Sequence, residues 1–180
     1  MKDNQLIKNF LIMFVAYVVD STIAYFLPYN LTKAGITIVP CLGLMLFSLL
    51  SMTLHDRSER FFFSAVCGLY YCICYSNSLL IYVLFYCMIT FVRSYLYRND
   101  NMNVLEFFVF AFLVVLLKEV SVYWLMRFTH ITQLGLLKFG LLRLLPTLGF
   151  NGVFSFLVYF IYTKFNFTIE PNNFENTEYL

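Results

Sequence analysis

The stretch Phe14–Pro28, FVAYVVDSTIAYFLP, decides how the rest of the chain is read. Asp20, followed by Ser21 and Thr22, stands in the middle of an otherwise apolar run. In a half-buried helix beside water such a carboxylate is ordinary. In a segment surrounded by hydrocarbon it carries a desolvation cost that some other group must offset.

Composition chooses between the two. Of 180 residues, 61% are hydrophobic and 12% charged, where soluble domains hold roughly half and a quarter. A soluble domain of this size buries only about 70% of its unfolded surface, and so few charges cannot cover the remainder. The composition is that of an all-α integral membrane protein whose main solvent is the lipid bilayer. A net charge of +2 gives no basis for nucleic-acid binding.

Six apolar segments follow one another: Phe10–Leu27, Gly35–Thr53, Phe61–Tyr75, Ser78–Tyr97, Val104–Phe128 and Leu141–Thr163. A membrane-crossing helix needs about 20 residues. The third segment is short, and with the fourth it suggests a tight hairpin across Ser76-Asn77. No ten-residue windows alternate as barrel strands do. The expectation is one bundle of about six transmembrane helices over residues 1–165, with 166–180 as a short acidic tail. Lys2 and Lys8 before an apolar run imitate a signal peptide, but Asp20 interrupts the run and no Ala-x-Ala site follows. An uncleaved anchor is the better reading.

With six spans, Lys2, Lys8, Arg57, Arg60, Arg93, Arg98 and Lys164 collect on the N-terminal side. Lys33, Arg127, Lys138 and Arg143 collect on the other, and Lys118 lies inside a span. This bias puts both termini in the cytoplasm.

The five cysteines, Cys41, Cys67, Cys72, Cys74 and Cys87, all fall in apolar segments. Cys72 and Cys74 are two apart, which on a helix points them about 200° away from each other and away from a shared ion. Neither His55 nor His130 has ligand-spaced partners, so no metal or cofactor is expected, and cysteine is read as a small apolar filler. Gly-x-Ser-x-Gly, His-Glu-x-x-His and phosphate-loop motifs are lacking. Asp20 is the sole Asp in a span, against the paired aspartates of intramembrane proteases. The chain is read as not an enzyme.

What remains is polar material within the apolar segments. Lys118 and Glu119 lie just past the middle of the fifth. In the sixth, Arg143 is followed by Thr147, Asn151 and Ser155 at steps of four, a stripe along one helical face. With Asp20 these residues share the central and outer layers of the proposed membrane. Asp20 is therefore expected to face the interior and meet Lys118 or Arg143, with Ala16 and Ala24 leaving room for a close neighbour. The cluster Asp20, Lys118, Glu119, Arg143, Thr147 and Asn151 has two readings. It glues the bundle, or it lines a pocket or partner-docking groove. Arg143 has the further option of snorkelling to the headgroups. The aromatic excess is read as lipid-facing packing.

The order of these elements resembles the rod shape-determining protein MreD family, in the divergent form of low-GC Gram-positive bacteria. The resemblance rests on YVVDSTIAYFLP in the first span, LLKEVSVYWL in the fifth and LLPTLGFNGVFSFLVYFIY at the end, with Pro146 and Asn151 as its Pro-x-x-x-x-Asn element. One departure stands out: Gly68-Leu69-Tyr70-Tyr71 is followed by Cys72 where the family often has Asp. The resemblance implies a non-enzymatic scaffold of cell-wall elongation in the bacterial cell membrane. It implies binding to MreC, a single-span protein, and through it to RodA and a class B penicillin-binding transpeptidase. It also implies a fold similar to the substrate-binding subunit of energy-coupling-factor transporters. That supplies the alternative function, capture of a vitamin or metal, although Trp124 is the single tryptophan available for such a ligand. A proton-coupled transporter is a third class, and the inner half of the spans offers it too few polar groups.

Overall fold

The computed structural model describes residues 2–27, 35–54, 56–75, 79–96 and 104–164. The described elements are all helical: α1 (Lys2–Phe26), α2 (Leu42–Leu50), α3 (Arg57–Tyr75), α4 (Leu79–Leu96), α5 (Val104–Phe128) and α6 (Leu136–Lys164). A single 3₁₀ turn, Ser51–Thr53, extends α2. Two of the helical stretches, Gln5–Phe26 and Leu136–Lys164, are long and apolar enough to cross a membrane. The expected tail at 166–180 lies outside the described residues, as do Lys33, Arg98 and His55.

The second apolar segment departs from expectation. Residues 36–41 are extended, and only from Leu42 does the chain turn helical. Ile36, Thr37, Ile38 and Val39 are β-branched, and Pro40 disfavours helical geometry at the residue before it. α6 departs too. It begins five residues before Leu141, and Gly140–Leu144 is a π-helical turn in which Leu145 N–H bonds to Gly140 O. α3 and α4 pack against each other, and the turn expected between them at Ser76-Asn77 lies outside the described residues.

The chain divides into two compact units, with the division falling inside α1, α2 and α6. The first comprises Met1–Phe14, Leu46–Asn103 and Tyr162–Leu180. In it α3 and α4 approach so closely at Gly68 that a Cβ there would lie 2.7 Å from Val83 Cα. Next to this crossing Ser64 and Thr90 share a 2.6 Å hydroxyl hydrogen bond. Phe47 stacks on Phe63 and leans on Tyr86. Asn9, wholly buried on α1, donates to Thr53 Oγ1 at 2.8 Å and to Leu50 O at 3.2 Å, satisfying groups at the end of α2. Arg60 and Arg93, both counted on the N-terminal side by sequence, are each only 1% exposed, and Arg60 Nε donates to Leu54 O.

The second unit comprises Val15–Met45 and Val104–Ile161. Within it α5 and α6 run antiparallel: Tyr123 stacks on Phe139, Phe108 meets Phe156, and Phe107 meets Tyr159. α5 buries Phe107, Phe110, Ala111, Val114, Val115, Lys118, Glu119 and Tyr123, which recur at helical spacing. Its outer face carries Leu105, Val109, Phe112, Leu113, Leu117 and Trp124. α6 repeats the pattern, with Thr147, Asn151 and Ser155 buried and Leu145, Val153, Phe156 and Phe160 exposed. Charged and polar groups are buried among apolar ones and the exposed faces carry large apolar groups, unlike a helix that faces water.

Candidate functional site

The polar residues singled out by sequence converge in the second unit on the extended segment 36–41 and the start of α2. The convergence begins with Pro146. A proline has no N–H, so the carbonyl four residues earlier, Leu142 O, lacks its helical donor. Thr37 N–H takes that place, at 2.8 Å. Two residues on, Val39 N–H donates to Thr147 Oγ1 at 3.3 Å, and Asn151 Nδ2 donates to Val39 O at 2.8 Å. After two more, Cys41 N–H donates to Asn151 Oδ1 at 2.8 Å. Alternate residues of an extended chain face one side, so positions 37, 39 and 41 together read the stripe that α6 presents. The carboxamide of Asn151 pairs with backbone as a neighbouring peptide group would, and its remaining proton goes to Thr147 O.

Asp20 completes the segment's far end. Its Oδ1 accepts Leu42 N–H at 2.9 Å and its Oδ2 accepts Gly43 N–H at 2.7 Å. These are the first N–H groups of α2, which have no acceptor inside their own helix and form its positive end. A carboxylate from α1 thus caps α2. Gly43 is required by the closeness of this contact, since a Cβ would lie 2.7 Å from the Tyr17 ring and 3.1 Å from Asp20 Oδ2.

The charged residues form a second layer. Glu119, fully buried, is 3.0 Å from Lys118 Nζ and accepts Arg143 Nε at 2.7 Å. Lys118 also donates to Cys41 Sγ at 3.3 Å, which ties this layer to the extended segment. The expectation that Asp20 meets Lys118 or Arg143 is corrected in part. Arg143 turns inward to Glu119, and Asp20 accepts its hydrogen bonds from the backbone N–H groups of Leu42 and Gly43. The reason is geometric: a freed helix terminus offers two aligned donors that one carboxylate can span.

All six candidates, Asp20, Lys118, Glu119, Arg143, Thr147 and Asn151, therefore belong to one connected network. Sequence reasoning missed Cys41, read as apolar filler, and the backbone of 37–43. The available signal was Pro40, which disfavours helix at the residue before it, and Pro146, which frees one carbonyl within α6. Cys72, at the position where the resembled family often carries an acid, is buried in the first unit. Among the described residues no three His, Cys, Asp or Glu side chains stand close enough to hold a metal ion.

Beside Asn151 and Ser155 lies a cavity of about 140 Å³, walled by Met45, Ala111, Val115 and Leu148. The polar atoms of Asn151 are already engaged, so this space is apolar in character. On the exposed side of the same helix a Cβ at Gly149 would meet nothing within 4 Å, whereas Gly152 lines the cavity itself. Comparison with family models, curated proteins and solved structures finds no match.

Proposed function

We propose that this chain is a multi-pass, non-enzymatic membrane scaffold of the MreD type, with six crossings and both termini in the cytoplasm. In this reading it binds the single transmembrane helix of an MreC-like partner and, through it, peptidoglycan synthases in the bacterial cell membrane. The observation that carries the reading is the inverted distribution of side chains in α5 and α6. Lys118, Glu119 and Arg143 are buried, while Leu105 and Val153 are at least 70% exposed. Such helices suit hydrocarbon as solvent, and charged groups then belong inside, paired.

The broken second segment fits the same placement. Its six extended residues and the twelve residues Leu42–Thr53 together reach about 38 Å, which exceeds the roughly 30 Å hydrocarbon core. Non-helical backbone is tolerated at that depth when packed in protein and hydrogen-bonded, and the N–H groups of Thr37, Val39 and Cys41 are all bonded to α6.

The network spends its polar groups on the chain itself, which supports a structural role for it and a partner held on the apolar exterior. Gly149, exposed on α6, offers a place where another helix backbone comes close. A vitamin-capturing subunit needs a ligand pocket of about 300 Å³ or more, and the cavity beside the network holds about 140 Å³. Affinity purification from the native membrane tests the reading. It should yield a stoichiometric single-span protein with a coiled-coil outer region, lost in Gly149→Leu protein that still melts at the parent temperature. A stoichiometric vitamin with no such partner would overturn it.

A further inference from the structure

The turn between α5 and α6 holds a feature that the scaffold reading does not use. Residues 131–138 with Leu141 and Leu142 line an open crevice of about 890 Å³. Lys138 lies in its wall, and Arg127 reaches it by donating from Nη1 to Leu134 O, another wall residue. Both cations are exposed, and the sequence from residue 120 to 164 contains no Asp or Glu to neutralise them. Around them the surface is apolar: Phe128, Ile131, Leu136, Leu137 and Leu141 are each more than half exposed. The α5 end also carries Trp124, whose ring lies 5.6 Å from that of Phe128. Amphipathic aromatics and cations at a helix end, with apolar flanks, describe the depth of phospholipid headgroups.

We propose that this crevice binds the phosphate of an anionic phospholipid, with Arg127 and Lys138 as its cations and Leu136, Leu137 and Leu141 against the acyl chains. Charge selects the occupant: two exposed cations without a local acid favour a headgroup with net negative charge over a zwitterionic one. The open side lets acyl chains stay in the bilayer while the phosphate enters. The proposal rests on the membrane placement argued above and is independent of the protein partner.

Trp124, the single tryptophan of the chain, supplies the probe. Its fluorescence is read in phosphatidylcholine vesicles containing either brominated phosphatidylglycerol or brominated phosphatidylcholine at equal fraction. The anionic quencher should be preferred by about fivefold per cation. Arg127→Gln/Lys138→Gln should abolish the preference, each single neutral variant should lose about fivefold, and Arg127→Lys/Lys138→Arg should keep it. Far-UV helix content confirms that each variant is folded. Equal quenching by the two lipids overturns the headgroup site and leaves the membrane placement intact. Quenching by neither lipid overturns the placement itself. Inorganic phosphate that removes the preference more than chloride at matched ionic strength assigns the site to free phosphate and overturns the lipid.

Discussion

Asp20 and Leu42 are 22 residues apart, and the carboxylate of the first accepts the N–H of the second at 2.9 Å. With the neighbouring bond to Gly43 this makes an acid on one helix the cap of another. The carboxylate in the middle of an apolar run is thus explained by a helix that starts late, at a point where two backbone donors need an acceptor.

Asp20→Leu removes both acceptors and strands two buried N–H groups, a loss of about 2–6 kcal/mol from roughly 1–3 for each. Asp20→Asn keeps one carbonyl and should fall between the parent and the Leu variant. Thermal melting of the detergent-solubilised protein gives the order. A Leu variant that melts with the parent would remove the cap from the account.

Glu119 stands between two cations, so Glu119→Gln is expected to be the most damaging neutral change in the network, at about 3–5 kcal/mol. Arg143→Met should cost less, because Lys118 remains 3.0 Å from Glu119. A double-mutant cycle should show coupling of about 1–3 kcal/mol between Glu119 and Arg143 and a smaller value between Asp20 and Lys118. Stronger coupling for the second pair would contradict the arrangement of hydrogen bonds.

Three glycines should respond differently to alanine. At Gly68 the added Cβ meets backbone, Val83 Cα at 2.7 Å, so the α3–α4 crossing must open. At Gly43 it meets the Tyr17 ring, which can shift, and about 1–3 kcal/mol is expected. At Gly149 nothing lies within 4 Å, and the change should be neutral or stabilising by up to about 1 kcal/mol. Melting temperatures ranked otherwise would show that the close approaches are misassigned.

Reporter fusions in the 129–135 turn and after residue 180 should report opposite sides of the membrane. Two of the cations counted on the N-terminal side, Arg60 and Arg93, are buried. Lys8, Arg57 and Lys164 remain exposed on the expected cytoplasmic side. Both reporters on one side would exclude six crossings.

Local pattern was enough to read the helical class and most helix positions. Val104–Phe128 coincides with its apolar segment, and Leu79–Leu96 differs from 78–97 by one residue at each end. Hydropathy and 3.6-residue periodicity are properties of neighbouring residues, so no tertiary knowledge is needed for them. The steps of four from Arg143 to Asn151 were legible for the same reason.

Which groups those residues meet was decided by tertiary structure alone. The extended course of 36–41 depends on acceptors and donors from α6, with Cys41 and Asn151 110 residues apart. A backbone left without helical bonds in an apolar interior is stable only when such distant partners arrive together. Likewise Pro146 marks a break in the sequence, but only the fold brings Thr37 to the carbonyl it frees. Sequence by itself determined where the polar groups sit along each helix. The tertiary structure determined that Asp20 caps a helix and that Glu119 holds the cations, because hydrogen-bond geometry, and not charge sign alone, selects among nearby partners.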